Sequence, residues 1–234
     1  MSKIIFANWK NKIITEEAAV DLARMTDAVG IVMCPPHAFL REVAAVVRHA
    51  ELGVQDHAPD AFISGAKYAL VGHADRRKAG DTDSIVAEKL AFAVRDGVTP
   101  VLCIGESRAE RDRGVTNEVL KRQIVSGFSR LLNHKSAILN PFVYIAYEPL
   151  WAISTGADHE TCSPATAIQR IVYVKEQLLH LGYGITAKYL YGGSVTSHNA
   201  ERYLYSNDID GLLVGAASVI PSELKKIWHS ASKS

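Results

Sequence analysis

An asparagine and a lysine two residues apart (Asn8, Lys10), a histidine behind a glycine (Gly72-His73) and a glutamate before a proline (Tyr147-Glu148-Pro149) could together do chemistry. Two glycine-rich turns, Gly192-Gly193-Ser194 and Gly215-Ala216-Ala217-Ser218, could serve them. Such turns expose backbone N–H groups beside helix starts, which suits a phosphate group. A lysine nearby adds positive charge. A glutamate and a histidine on opposite sides of a pocket can move a proton and polarise a carbonyl. No cluster has the spacing of metal ligands, and no cofactor is expected. Each residue alone has an ordinary explanation: a solvated lysine, a structural histidine, a loop glutamate, tight turns built with glycine. What needs a joint explanation is that every one of them follows a short apolar run.

Those runs read as strands: Ile4–Trp9, Gly30–Cys34, Leu52–Gln55, Tyr68–Gly72, Pro100–Ile104, Phe142–Tyr147, Tyr189–Tyr191 and Gly211–Val214. Between them lie helical patterns at Glu16–Ala28, Ala38–His49, Ser84–Asp96, Asn117–Leu132, Pro164–Leu181, Ser197–Tyr205 and Ser222–Ser230. Nearly continuous apolar runs, rather than alternation, are what parallel strands covered by helices look like. Eight strands alternating with helices predict one α/β domain over residues 1–234, a (β/α)₈ barrel whose chemistry sits at the C-terminal strand ends. One connection breaks the rule. Asp56–Lys67, with Pro59, Gly65 and two aspartates, is too short for a full helix, so the third βα unit is expected to be truncated.

The chain resembles the triosephosphate isomerase family over nearly its whole length. The segments that carry the resemblance are Phe6–Lys10, Val71–Arg77, Cys103–Glu106, Ala146–Ile153, Tyr191–Val195 and Asp210–Gly215. The resemblance implies a TIM barrel that interconverts dihydroxyacetone phosphate and glyceraldehyde 3-phosphate in glycolysis and gluconeogenesis. It implies that Glu148 is the base, His73 a neutral electrophile, Lys10 a holder of substrate charge and Asn8 a polarising group. Phosphate binding falls to Ser154, Ser194, Gly215 and Ala216. Pro149, Leu150, Trp151, Ile153, Thr155, Gly156 and Tyr191 would form a lid and its hinge and latch. Asp75, Cys103 and Glu106 would support the site. The family pairing of glutamate base with neutral histidine is itself a worked example of tuned ionisation.

The sequence departs from the family pattern in places. Ala74 lacks a hydroxyl that would park the base, Asp75 is a methylene shorter than glutamate and is expected to pair more loosely with Lys10, and Ser154 has less backbone freedom than glycine. The loop after strand three, which in the family projects toward a partner subunit, is nearly absent. A monomer or a weak, concentration-dependent homodimer is therefore expected, with Lys10 and His73 less well buttressed.

Two other readings stay open on residues alone. One is a barrel lyase or aldolase sharing only the phosphate site, although Lys10 at a strand end suits charge stabilisation better than Schiff-base chemistry. The other is a non-catalytic or weakly active phosphate-binding relative. Basic and acidic residues number 26 and 25, which argues against nucleic acid and anionic membranes as partners. Cys34, Cys103 and Cys162 form no disulfide framework. With no apolar leader at the N-terminus, a cytoplasmic location is expected.

Overall fold

The computed structural model describes residues 3–57, 65–133, 141–153, 160–182 and 184–233. Eight parallel strands close into a barrel in chain order. They are β1 (Ile4–Asn8), β2 (Ile31–Cys34), β3 (Glu51–Val54), β4 (Tyr68–Val71), β5 (Thr99–Ile104), β6 (Phe142–Tyr147), β7 (Thr186–Tyr191) and β8 (Gly211–Val214). The helices are α1 (Glu16–Thr26), α2 (Leu40–Val46), α3 (Ala74–Lys78), α4 (Asp83–Arg95), α5 (Arg108–Asp112), α6 (Thr116–Asn133), α7 (Pro164–His180), α8 (Ala200–Leu204) and α9 (Pro221–Ser232).

Two apolar cores explain the unbroken strand sequences. Phe6, Val32, Leu70, Val101, Tyr144, Leu190 and Leu213 form one cluster. Their strand neighbours, such as Ile5, Ala7, Met33, Val71 and Leu212, pack in a second cluster with the apolar stripes of the helices. Alternate residues of each strand therefore enter different cores, and neither face is left to water. Helix starts are fixed by local chemistry. The side chains of Thr15, Thr82 and Ser163 accept N–H groups at the starts of α1, α4 and α7, and Ser107 with Glu110 forms a capping box on α5.

The barrel expected from the sequence is present, with differences at the edges. β7 begins three residues earlier than its apolar run, because Thr186–Lys188 pair with Phe142–Tyr144 of β6 although their side chains are not fully buried. The helical pattern over 197–205 reduces to the short α8, and α2 is preceded by a 3₁₀ turn at His37–Phe39. Two one-turn helices, α3 and α5, lie outside the longer helical patterns of the sequence. Between β3 and β4 the described residues include no helix. No described helix is long and apolar enough to cross a membrane.

Candidate active site

Glu148 directly follows β6 and is 4% exposed; His73 follows β4 and is equally buried. Their side chains meet, His73 Nε2 lying 3.2 Å from Glu148 Oε1. The second oxygen of Glu148 accepts the Ala74 N–H at 3.4 Å. Ala74 thus offers its amide where a hydroxyl is missing from its side chain. His73 is the N-cap of α3, and its Nδ1 accepts the Asp75 N–H at 3.2 Å. With Nδ1 accepting, Nε2 is the ring nitrogen that faces Glu148 and can donate to it. Burial pushes the Glu148 carboxyl up, but His73, Lys10 and the Ala74 amide outweigh it and hold it below the usual carboxylate range. Glu148 is therefore ionised at neutral pH.

The backbone beneath Glu148 is packed without slack. Its N–H donates to the Ile104 carbonyl at 2.7 Å. A Cβ on Gly105 would run into the Glu148 carbonyl, and one on Gly192 would stand 2.7 Å from Glu148 Cγ. Glycine at both positions is what lets the carboxylate sit between β5 and β7. Cys103 lies alongside; burial first, then the nearby Glu148, push its thiol well up, so it stays protonated.

Lys10 is the one residue other than glycine with positive φ (51°) among the described residues, a conformation that disfavours a side chain and clusters at functional sites. Asn8 and Gln55 hold it there. Asn8 Oδ1 accepts the Lys10 N–H at 3.0 Å, and Gln55 Nε2 donates to the carbonyls of Lys10 (2.8 Å) and Cys34 (3.0 Å). The Lys10 ammonium meets Asp75 at 3.0 Å, so the shorter side chain reaches and the looser pairing expected at Asp75 is not what forms. Burial raises the Asp75 carboxyl, but Lys10 more than offsets this and lowers it. The Lys10 stem runs past Gly215, where an added Cβ would lie 3.5 Å from Cε.

Asn8, Lys10, His73 and Glu148 share one cavity with Lys12, Ile153, Gly192, Gly193, Val195, Leu213, Gly215 and Ala216. Gly215 and Ala216 open a 3₁₀ turn, Ala216–Val219, whose first N–H groups have no partner within it. Ser218 ties that turn to β1 by donating to the Asn8 carbonyl at 3.0 Å. Ser194 is not among the lining residues; its carbonyl accepts Asn199 Nδ2 at 2.9 Å. Ser154, Thr155 and Gly156 lie outside the described residues. The stem before them is anchored: Leu150 N–H donates to the Glu106 carbonyl, and the buried Glu106 carboxylate accepts Trp151 Nε1 (2.8 Å) and Tyr147 Oη (3.1 Å). Pro149 precedes this 3₁₀ turn and Ile153 ends it. Tyr191 is buried with its ring stacked 4.1 Å from that of Tyr203, and its hydroxyl has no hydrogen-bond partner among the described residues.

Three contributors escape a reading of the sequence. Gln55 has a polar side chain directly after β3, where nothing local reveals a partner 45 residues away. Lys12 lines the cavity from an exposed loop. Gln123 did leave a signal. It sits on the buried stripe of α6 with Val119, Leu120, Ile124 and Phe128, a polar residue where the helical period calls for an apolar one. It clamps Gly105 from both sides, Oε1 accepting its N–H at 2.8 Å and Nε2 donating to its carbonyl at 3.1 Å.

A family model described as triosephosphate isomerase matches residues 3–231. A triosephosphate isomerase of Thiobacillus denitrificans is 35% identical, covering 99% of this chain and 99% of the relative. One from Dechloromonas aromatica is 33% identical over 98% of this chain and 99% of its own length. One from Moorella thermoacetica is 35% identical over 92% and 93%. The first of these alignments runs over 254 positions against 234 residues here, so that relative carries residues this chain lacks.

Proposed function

The chain belongs to the triosephosphate isomerase family, and on that premise we propose how its residues divide one reaction, the interconversion of dihydroxyacetone phosphate and glyceraldehyde 3-phosphate. The enzyme is an aldose–ketose isomerase. Glu148 takes the proton from the carbon beside the carbonyl, which leaves an enediolate, and returns it to the neighbouring carbon. The neutral His73 donates its Nε2–H to the developing oxyanion, and Lys10 and the Asn8 amide group stabilise the same charge. In this structure Glu148 and His73 are bonded to one another, so bound substrate must come between them, with its C–H toward the carboxylate and its carbonyl toward the ring. The observation that carries this reading is that contact: a buried carboxylate, held ionised, against a histidine whose Nε2 faces the pocket.

The backbone of Gly215 and Ala216 binds the phosphate, with Ser194 and Ser154 assisting. The segment from Pro149 to Gly156 closes over the substrate, with Leu150, Trp151 and Ile153 at its hinge and Thr155 and Tyr191 in its latch. Closure matters because water-free surroundings protect an enediolate from losing its phosphate. Asp75, Cys103 and Glu106 support these groups. We read residues 1–234 as one domain, acting in the cytoplasm as a monomer or a weakly associating dimer. In support, an open groove of about 700 Å³ runs beside Lys10, lined by Asn11, His37, Gln55, Asp56 and Arg76, and the described residues between β3 and β4 include no helix.

The test is a coupled assay in both directions with wild type and Glu148→Gln. The variant should lose the roughly 10²–10⁴-fold that a positioned general base contributes to kcat. A folded Glu148→Gln protein with most of its activity would remove Glu148 from the role.

A further inference from the structure

The histidine at the centre of the site rides on a helix too short to hold itself. α3 has five residues, and isolated helices of fewer than about 12 residues are marginal in water. Its position must come from what its side chains grip. Arg77 grips the barrel, donating to the Gly72 carbonyl at 2.8 Å and to Asp83 at 2.7 Å. Arg76 grips something else: the first residues of the shortened connection after β3.

There Asp56 completes a square of four charges. Both of its oxygens take the Lys89 ammonium, at 2.9 and 2.7 Å, and one lies 2.9 Å from Arg76 Nε. Asp81 closes the square, 2.6 Å from Lys89 Nζ and 3.5 Å from Arg76. The Arg76 Nε–H is not aligned on an acceptor, so its contact with Asp56 is an ion pair rather than a hydrogen bond. The square carries no net charge. It is shielded from water at Asp81 and Lys89 (7% and 11% exposed) and more open at Asp56 and Arg76 (24% and 43%). It joins the residues after β3 to the stretch from α3 through the following turn into α4. Gln55, one residue earlier, holds the Lys10 carbonyl. The same two-residue segment thus touches the supports of both Lys10, through Gln55, and His73, through Arg76.

We propose that Asp56 is a positioning residue that completes the active site within one chain. Through Arg76 it fixes the one-turn helix that carries His73 and Asp75, so His73 and Lys10 need no second copy of the protein to hold them. This rests on the roles given above to His73 and Lys10. Removing the Asp56 charge leaves two cations facing the single carboxylate of Asp81. The square opens, Arg76 keeps only Asp81, α3 is held less firmly, and the His73 ring moves relative to Glu148. A misplacement of about 1 Å costs up to roughly 100-fold in rate. The phosphate site on β7 and β8 shares no residue with the square.

The experiment compares kcat and KM for glyceraldehyde 3-phosphate in wild type, Asp56→Asn, Arg76→Gln and Asp96→Asn, with ¹⁵N NMR of the His73 ring in each. Asp96 binds the next residue along, His57, at 3.0 Å and does not touch α3, so its variant reports stability alone. Asp56→Asn and Arg76→Gln should lose about 10- to 100-fold in kcat with little change in KM, and the His73 signals should shift or broaden. Asp96→Asn should melt earlier but keep kcat and the His73 spectrum. Wild-type activity per chain should stay constant on dilution from micromolar to nanomolar concentration. If Asp56→Asn does not fold, Arg76→Gln gives the answer, because it leaves Lys89 with both carboxylates. A folded Arg76→Gln protein with wild-type kcat and an unchanged His73 spectrum would overturn the proposal. So would equal kcat losses in Asp96→Asn, or wild-type activity that falls on dilution. Failure of the underlying roles would look different: His73→Gln would then keep its rate while the dilution result stood.

Discussion

The two halves of the active site are held by different physics. On the β5–β6–β7 side, Glu148 is fixed by its own backbone, by two glycines that let strands and carboxylate close up, and by Gln123, whose amide pairs with a peptide group. Every contact there is short-range and buried. On the β1–β3–β4 side, Lys10 and His73 are fixed by a strained backbone, a glutamine from a distant strand, and ion pairs that water partly reaches. The base sits in a rigid socket and the charge-stabilising groups sit in an adjustable one. A site that must keep a carboxylate ionised while buried gains most from rigid placement, since small displacements change its desolvation. Ammonium groups tolerate more freedom because their attraction falls off slowly with distance.

If that contrast holds, the largest effect after loss of Glu148 itself should come from a single methyl group in the rigid half. Gly105→Ala places a Cβ against the Glu148 carbonyl, and backbone cannot yield there without moving the carboxylate. We expect about a 100-fold fall in kcat with a KM close to wild type, read by steady-state kinetics. A near-normal Gly105→Ala enzyme would show that the socket is softer than its packing implies.

Within the adjustable half, the exposed carboxylate of Asp75 should matter less than the charges that hold α3. Asp75 is 46% exposed, and exposed pairs contribute about 0.2–1 kcal/mol. Asp75→Asn should lower kcat/KM by roughly fivefold or less, and added salt should shrink the difference between variant and wild type. The smallest effect concerns acid stability. Asp75 and Glu148 both have folded-state pKa values below their ordinary ones of 3.8 and 4.5. A depressed carboxyl contributes stability that is full above the unfolded value and lost as pH falls through the folded one. Thermal midpoints should therefore be flat above about pH 5 and decline below it, with a slightly shallower decline in Asp75→Asn. A rise in stability on acidification would contradict the assigned directions.

The same contrast decides what the sequence made legible. Strand runs, helical patterns and the polar strand ends Asn8, Lys10, His73 and Glu148 are local signals, and the barrel with its rigid half follows from them. Gly105 and Gly192 were visible as motif glycines, though the carbonyl and side chain they clear for were not. The adjustable half rests on pairs such as Gln55 with Lys10 and Asp56 with Lys89, whose partners lie tens of residues apart. Charge spacing along a chain does not specify such pairs. A one-turn helix such as α3 has no period to detect, and its stability is borrowed from tertiary contacts.

Proton exchange tests the central assignment, that Glu148 is the base working against a neutral His73, most directly. Dihydroxyacetone phosphate would be incubated in D₂O with wild type or Glu148→Gln, and ¹H NMR would follow loss of the hydroxymethyl proton alongside formation of glyceraldehyde 3-phosphate. Wild type should exchange and isomerise at comparable rates, and Glu148→Gln should lose both together by the roughly 10²–10⁴-fold due to a general base. A Glu148→Gln enzyme that still exchanges the proton at the wild-type rate would place the base on another residue.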